Sequence, residues 1–168
     1  GVAEGIFAPG RIITGAECIQ LYVNLLGLNL DHVQFIRAPK ATDYFENADD
    51  DAWYAEALII ASVNGLELPA GLDPDAPWTR EEFTYHLMRA LHAHVTMPPV
   101  IMLAYIITDE DEIDETYSGM IQSALAYRIA ELDEEGYFYP KENLTRAEAA
   151  VQIARALAYV KAQEPAPD

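Results

Sequence analysis

The sequence of 168 residues predicts an all-α fold in which one set of helices is repeated. Three segments align without gaps, and they begin at Gly5, Ala70 and Gly136. In each segment a proline stands five residues before a threonine, and apolar residues at helical spacing follow the threonine. The three threonines are spaced by 65 and 66 residues, which indicates an internal repeat.

Each of these threonines begins a Thr-x-x-Glu pattern, the signature of a helix capping box. In such a box the hydroxyl accepts from the amide of the third helical residue, and the glutamate accepts from the amide of the threonine. Apolar residues on either side of the box form a predicted hydrophobic staple. The pattern predicts three capped helices, with the boxes Thr14 and Glu17, Thr79 and Glu82, and Thr145 and Glu148.

A second kind of helix is predicted ahead of the second and third capped helices. The stretch WYAEALIIASVNGLEL from Trp53 aligns with TYSGMIQSALAYRIAE from Thr116, and Gly65 is the predicted stop of the first of them. The first copy starts at its second half and has no such helix. The predicted repeats are 1–30, 43–93 and 107–160, together one compact domain, with 161–168 as a tail or linker.

The composition argues against several classes of partner. A net charge of −18 disfavours nucleic acid, because phosphate backbones are bound by clustered Lys and Arg, and it disfavours an anionic membrane surface. No apolar run approaches the roughly 20 residues that span a bilayer, so no membrane insertion is expected. The single cysteine, Cys18, excludes an internal disulfide. No cofactor motif or register of metal ligands is present, and no catalytic pair stands out among the carboxylates.

The repeated pattern resembles a known family, the S-layer homology repeat. The resemblance is carried by WYAEALIIASVNGL with TREEF in copy two and by GYFYPKENLTRAEAA in copy three. It implies a pseudo-threefold bundle of helix-loop-helix repeats whose first repeat is truncated. It also implies a non-enzymatic module that anchors a secreted bacterial protein at the cell surface. The implied partner is an acidic, often pyruvylated, secondary cell-wall polysaccharide, bound in grooves between repeats by the arginine of the Thr-Arg-Ala-Glu motif.

Two arginines, Arg80 and Arg146, are the candidates for that role. Each occupies the first helical position, where a cation opposes the helix macrodipole by about 0.3–1 kcal/mol. This cost suggests a task, and a helix N-terminus with unpaired amides beside a guanidinium is suited to a carboxylate. The competing interpretation is structural, with Arg80 paired to Glu81 or to a nearby acidic loop.

The sequence departs from the family pattern at several positions. Gly15 replaces the arginine in copy one, Thr116 replaces the helix tryptophan in copy three, and Asn47 replaces an aspartate in copy two. These changes leave at most two arginine-bearing sites. They also support an alternative function, a degenerate scaffold that acts as a structural or protein-interaction module.

The two tryptophans have different predicted roles. Trp53 begins a helix and is a candidate ligand-binding platform, with core packing as an equal alternative. Trp78 belongs to a staple and is expected to pack in the core.

A shortage of helices in the first copy predicts an uncovered side of the bundle. The sequence predicts three capped helices but only two helices of the second kind. We expect one of the linkers, for example the segment at 95–107, or a second copy of the chain through self-association, to cover that side.

Overall fold

The computed structural model describes residues 7–101 and 104–163, and five α-helices form its framework. They are α1 (Gly15–Leu26), α2 (Ala55–Val63), α3 (Arg80–His94), α4 (Glu115–Ala126) and α5 (Arg146–Lys161). The described residues contain isolated bridges but no strand, so the all-α prediction is confirmed. The first residues of the predicted repeat 1, at 1–6, and most of the predicted tail, at 164–168, lie outside the described residues.

Two compact units make up the chain: a small unit of residues 14–77 and a large unit of residues 1–13 and 78–168. In the small unit α1 packs against α2, and its core includes Ile19, Tyr22 and Leu58. In the large unit α3 packs against α4 and α5, and its core includes Phe83, Leu87, Leu91, Ile121 and Phe138. The predicted repeat boundaries and the pseudo-threefold arrangement stay predictions.

The helices α1, α3 and α5 begin with the same capping box. In α1 the Thr14 hydroxyl accepts from the amide of Glu17 at 3.4 Å, and the Glu17 carboxylate accepts from the amide of Thr14 at 3.0 Å. The boxes at Thr79 and Thr145 repeat this geometry, with corresponding distances between 2.8 and 3.4 Å. A cap of this kind stabilises a helix by about 1 kcal/mol. The boxes therefore fix the residue at which each helix begins.

The next two amides of each capped helix donate to a proline loop from another copy. In the small unit the amides of Gly15 and Ala16 donate to carbonyls of the loop at 74–76, over 2.9 and 2.8 Å. In the large unit the first two amides of α3 donate to the loop at 140–142, and those of α5 donate to the loop at 9–11, over 2.9–3.1 Å. Each N-terminus thus has an acceptor for all four of its leading amides.

The helices α2 and α4 end in the same left-handed turn, although the residue that adopts it differs. The amide of Leu66 donates to the carbonyl of Ala61 at 3.0 Å, and that of Ile129 donates to Ala124 at 2.9 Å. The left-handed residue is Gly65 after α2, with φ 78°, but Arg128 after α4, with φ 55°. A residue with a Cβ is strained there, so this turn is less stable in copy three.

Asn47 and Asp109 occupy equivalent turns and make opposite hydrogen bonds. The side-chain amide of Asn47 donates to the carbonyl of Gly71 at 2.9 Å. The buried carboxylate of Asp109 instead accepts from the amides of Phe138 and Tyr139, at 2.9 and 2.7 Å. Both side chains tether the start of a repeat to the loop beyond its first helix. The replacement of aspartate by Asn47 therefore alters a loop contact.

The described residues of 95–107 run without regular secondary structure along the large unit. The side-chain amide of Gln122 in α4 bonds to both the amide and the carbonyl of Tyr105, at 2.8 and 2.9 Å. The hydroxyl of Tyr127 donates to the carbonyl of Pro98 at 2.8 Å. These contacts place the segment against copy three. Its predicted role as a cover for the first copy stays a prediction.

We expect Arg128→Gly to stabilise the protein by about 0.5–1 kcal/mol, because glycine relieves the left-handed strain at the end of α4. Its matched counterpart, Gly65→Ala, introduces that strain at the end of α2 and should destabilise by about 1 kcal/mol. Urea denaturation followed by circular dichroism measures both. A destabilised Arg128→Gly variant would contradict the assigned strain.

His86 is a mostly buried ionisable group in α3. Its ring lies 5.0 Å from the rings of Trp78 and of Tyr85, centroid to centroid. Burial, together with the smaller effect of the nearby charge of Arg89, lowers the pKa of His86 from 6.5 to about 4. The folded protein therefore holds this imidazole neutral where the unfolded chain would protonate it.

This burial makes stability depend on pH. The pKa of His86 is lower in the folded than in the unfolded state. The contribution of neutral His86 to the free energy of unfolding is therefore fully present above pH 6.5, and roughly 2–3 kcal/mol of it is lost as the pH falls towards 4. In His86→Phe that part of the loss should disappear, and His32→Gln, at an exposed position, is the matched control. Chemical denaturation at a series of pH values compares the three proteins, and equal slopes for all three would refute the interpretation.

Candidate functional site

Arg80 lies in a groove of the large unit with a volume of about 170 Å³. The loop between α4 and α5 contributes one wall, with Ala130, Glu131 and Phe138. The opposite wall is one face of α5, because its lining residues are spaced by three, one and three positions. Those residues are Glu148, Val151, Gln152 and Arg155.

Arg80 and Glu148 form the central ion pair of this groove. Arg80 Nη2 donates to Glu148 Oε1 at 2.7 Å and lies 3.9 Å from the exposed carboxylate of Glu142. The other oxygen of Glu148, Oε2, accepts from the amide and the hydroxyl of Thr145, both at 2.8 Å. One carboxylate thus serves both the cap of α5 and the arginine at the start of α3.

The ionisation of Glu148 reflects these contacts. Partial burial by itself raises the pKa of its carboxyl group, but the hydrogen bonds from Arg80 and from Thr145 outweigh that effect and the pKa is lowered. The carboxylate is therefore charged at neutral pH. Its partner Arg80 has 16% of its side-chain area exposed.

Arg80 is not fully satisfied by this pairing. Its Nε–H is buried and has no hydrogen-bond acceptor among the described residues. The reason is geometric. A carboxylate that pairs with a guanidinium in a bidentate way uses both of its oxygens, but Oε2 of Glu148 already accepts hydrogen bonds from Thr145. Half of the guanidinium fork therefore lacks an acceptor.

Two expectations about Arg80 are wrong in detail. Its helix N-terminus has no unpaired amides for a ligand, since the amides of Arg80 and Glu81 donate to the carbonyls of Glu142 and Pro140. The structural interpretation is right that Arg80 pairs with a carboxylate, Glu148, and lies near the loop residue Glu142, but its pair with Glu81 is absent. The buried Glu81 carboxylate instead pairs with Lys141 and accepts from the amide of Asp114 at 3.0 Å.

Arg155 is a groove residue that the sequence analysis missed. Its Nη2 donates to Glu131 at 2.8 Å across the groove, and Val151, one turn earlier, exposes an apolar side chain beside it. The signal was present in the sequence, because Arg155 follows Arg146 by nine residues, as Arg89 follows Arg80. Its meaning depended on the position of the α4–α5 loop, which periodicity does not reveal.

Arg146 occupies the same helical position as Arg80 but meets different groups. Its Nε donates to the carbonyl of Phe7 at 2.9 Å, and its guanidinium lies 5.3 Å from the centre of the Phe7 ring. In copy one the corresponding residue, Gly15, is buried and brings no side chain. The three copies therefore share a cap but differ in the chemistry at its edge.

The two tryptophans are in opposite environments. Trp53 belongs to the small unit, is 63% exposed and meets Tyr54 edge to face at 5.7 Å. It is not among the residues that line the Arg80 groove. Trp78 is 5% exposed and packs on His86. Trp53 thus retains a free aromatic face, while Trp78 is a core residue.

The described part of the chain contains no cluster of three His, Cys, Asp or Glu side chains suited to a metal ion. Within residues 7–101 and 104–163, no helix combines the length and apolar character of a membrane span.

Residues 106–150 match the model of the S-layer homology domain. This range contains α4, the loop that lines the groove, and the start of α5 with Arg146 and Glu148.

Similar proteins include an amylopullulanase of Thermoanaerobacterium thermosulfurigenes, 26% identical over 91% of this chain and 8% of that protein. The exoglucanase XynX of Acetivibrio thermocellus is 26% identical over 91% of this chain and 14% of its own length. Cell surface glycoprotein 1 of the same species is 30% identical over 94% of this chain and 7% of its length. The chain thus spans only 7–14% of these relatives. The resemblance seen in the sequence is confirmed, because residues 106–150 match the S-layer homology domain family.

Proposed function

We propose that this chain is a non-enzymatic anchoring module that holds a secreted bacterial protein at the cell surface. Its partner is an acidic secondary cell-wall polysaccharide, with a pyruvate ketal as one suitable source of the carboxylate. The family match supports the anchoring role, and the name of one relative, a cell surface glycoprotein, agrees with the location.

The single observation that carries the proposal is the groove at Arg80. It combines two guanidinium groups, two carboxylates, an amide side chain and an exposed valine in about 170 Å³. Polar groups of both kinds beside a small apolar surface suit a sugar ring, which has hydroxyl groups on its edge and C–H groups on its faces. Arg80 also keeps 16% of its side-chain area exposed, so its charged guanidinium can donate to a carboxylate oxygen of a ligand.

The enzymatic names of two relatives do not extend to this chain. The matched part is 8% of the amylopullulanase and 14% of the exoglucanase, so most of each protein lies elsewhere. We therefore propose attachment, rather than hydrolysis, as the activity of this module.

A degenerate scaffold is the second candidate function. Arg80 is already paired with a carboxylate of its own chain, and Arg146 is held by Phe7, so both arginines have structural contacts. In this alternative the module takes part in self-association or contacts with other proteins, and it binds no wall glycan.

We expect the double variant Arg80→Ala with Arg146→Ala to bind purified bacterial cell walls about ten- to a hundredfold more weakly than the parent. A charge-assisted hydrogen bond contributes about 1.5–3 kcal/mol, and tenfold in affinity corresponds to about 1.4 kcal/mol. Co-sedimentation with the walls measures the loss, and the parent's binding should weaken as ionic strength rises.

A charge-matched control is available in the small unit. Arg37 and Lys40 form ion pairs with Asp43 and Asp50 at its surface, and Arg37→Ala with Lys40→Ala removes the same number of cations. This control should bind like the parent. Equal binding by all three proteins would reject the arginine sites, and self-association without wall binding would favour the degenerate scaffold.

A further inference from the structure

We propose that the carboxylate of Glu148 makes the Arg80 groove reject anions that bring no hydrogen-bond donors, so that the site selects a carboxylated sugar over a simple polyanion. This inference rests on the proposed function and concerns the selectivity of the same site.

The first support is the charge of the groove lining. Each of its two arginines is paired with a glutamate, Arg80 with Glu148 at 2.7 Å and Arg155 with Glu131 at 2.8 Å. A third carboxylate, Glu142, lies 3.9 Å from Arg80. The cations are therefore matched or outnumbered, and the groove has no excess positive charge with which to attract a polyanion.

The second support is that Glu148 cannot move aside without loss. Its Oε2 accepts hydrogen bonds from the amide and the hydroxyl of Thr145, and the bond from the amide is one half of the capping box of α5. A ligand that displaced the carboxylate from Arg80 by rotating it away would also break this cap, at a cost of about a further tenfold in affinity. A ligand must therefore bind beside Glu148.

The third support is the hydrogen-bonding capacity that remains. The partly exposed guanidinium of Arg80 is a donor, whereas Glu148 Oε1 and the exposed Glu131 are acceptors that can take further donors. A carboxylated sugar has both complements, since its carboxylate accepts from arginine and its hydroxyl groups donate to the glutamates. A polyphosphate chain has acceptors alone, so its oxygens would face carboxylate oxygens, and like charges at short range repel.

Glu148→Gln separates the two duties of this side chain. Glutamine still fits the capping box through its carbonyl oxygen. Its amide group then turns towards Arg80, where two donors oppose each other, so the guanidinium is released for an external anion. Glu82→Gln makes the same chemical change in the capping box of α3, and Glu82 is not a groove-lining residue.

The test is isothermal titration calorimetry on the full chain with two probes, inorganic polyphosphate and a purified pyruvylated wall polysaccharide. For polyphosphate we expect no measurable binding to the parent or to Glu82→Gln, and a gain of at least about tenfold for Glu148→Gln. For the polysaccharide we expect Glu148→Gln to bind no tighter than the parent. The substitution relieves the repulsion between Glu148 and the ligand carboxylate, but it also removes the carboxylate that accepts from the sugar hydroxyl groups.

A second variant guards against misfolding. Glu131→Gln removes the other groove carboxylate without touching a cap, and it should show a smaller gain for polyphosphate. If neither variant gains polyphosphate binding while circular dichroism shows both folded, the inference is overturned. If Glu148→Gln gains polyphosphate binding but the parent binds no wall polysaccharide, the inference about Glu148 stands and the proposed function fails.

Discussion

At the N-terminus of each capped helix, four backbone amides need acceptors, and the way they find them organises the molecule. The capping box supplies two acceptors from residues three apart, and a proline loop from another copy supplies the other two. A buried amide without a partner costs about 1–3 kcal/mol, so neither half of this arrangement is dispensable. The start of each helix, the path of each loop and the contact between copies are therefore fixed by one set of hydrogen bonds.

The candidate site inherits a constraint from this arrangement. Glu148 completes the cap of α5 with one carboxylate oxygen and meets Arg80 of α3 with the other. Any ligand that binds Arg80 must therefore bind beside the carboxylate of Glu148, which the cap of α5 requires. The groove is consequently built from paired charges, with donors and acceptors side by side, and its chemistry suits a ligand that offers both. Stability and recognition depend here on the two oxygen atoms of one carboxylate.

Local pattern in the sequence was enough to predict the helices, because a capping box and helical periodicity are written within about 20 residues. It was also enough to single out Arg80 and Arg146 as residues in an unusual position. It could not show that Arg80 pairs with Glu148, 68 residues away. Nor could it show that the first two amides of each capped helix donate to loop carbonyls. Arg155 was missed for the same reason, since its partner Glu131 belongs to a loop whose path depends on the tertiary fold.

The first helical position is where the copies differ, and the hydrogen bonds explain why. The network uses only the backbone amide of that residue, which every residue except proline supplies. Proline, otherwise favoured at this position, would leave a loop carbonyl without its donor. The contacts of the side chain differ between copies. Arg80 pairs with a carboxylate in a groove, and Arg146 contacts the carbonyl and the ring of Phe7, whereas Gly15 has no side chain to make such a contact. The number of binding sites therefore does not follow from the number of capping boxes, because a box fixes where a helix starts and leaves open what its first side chain contacts.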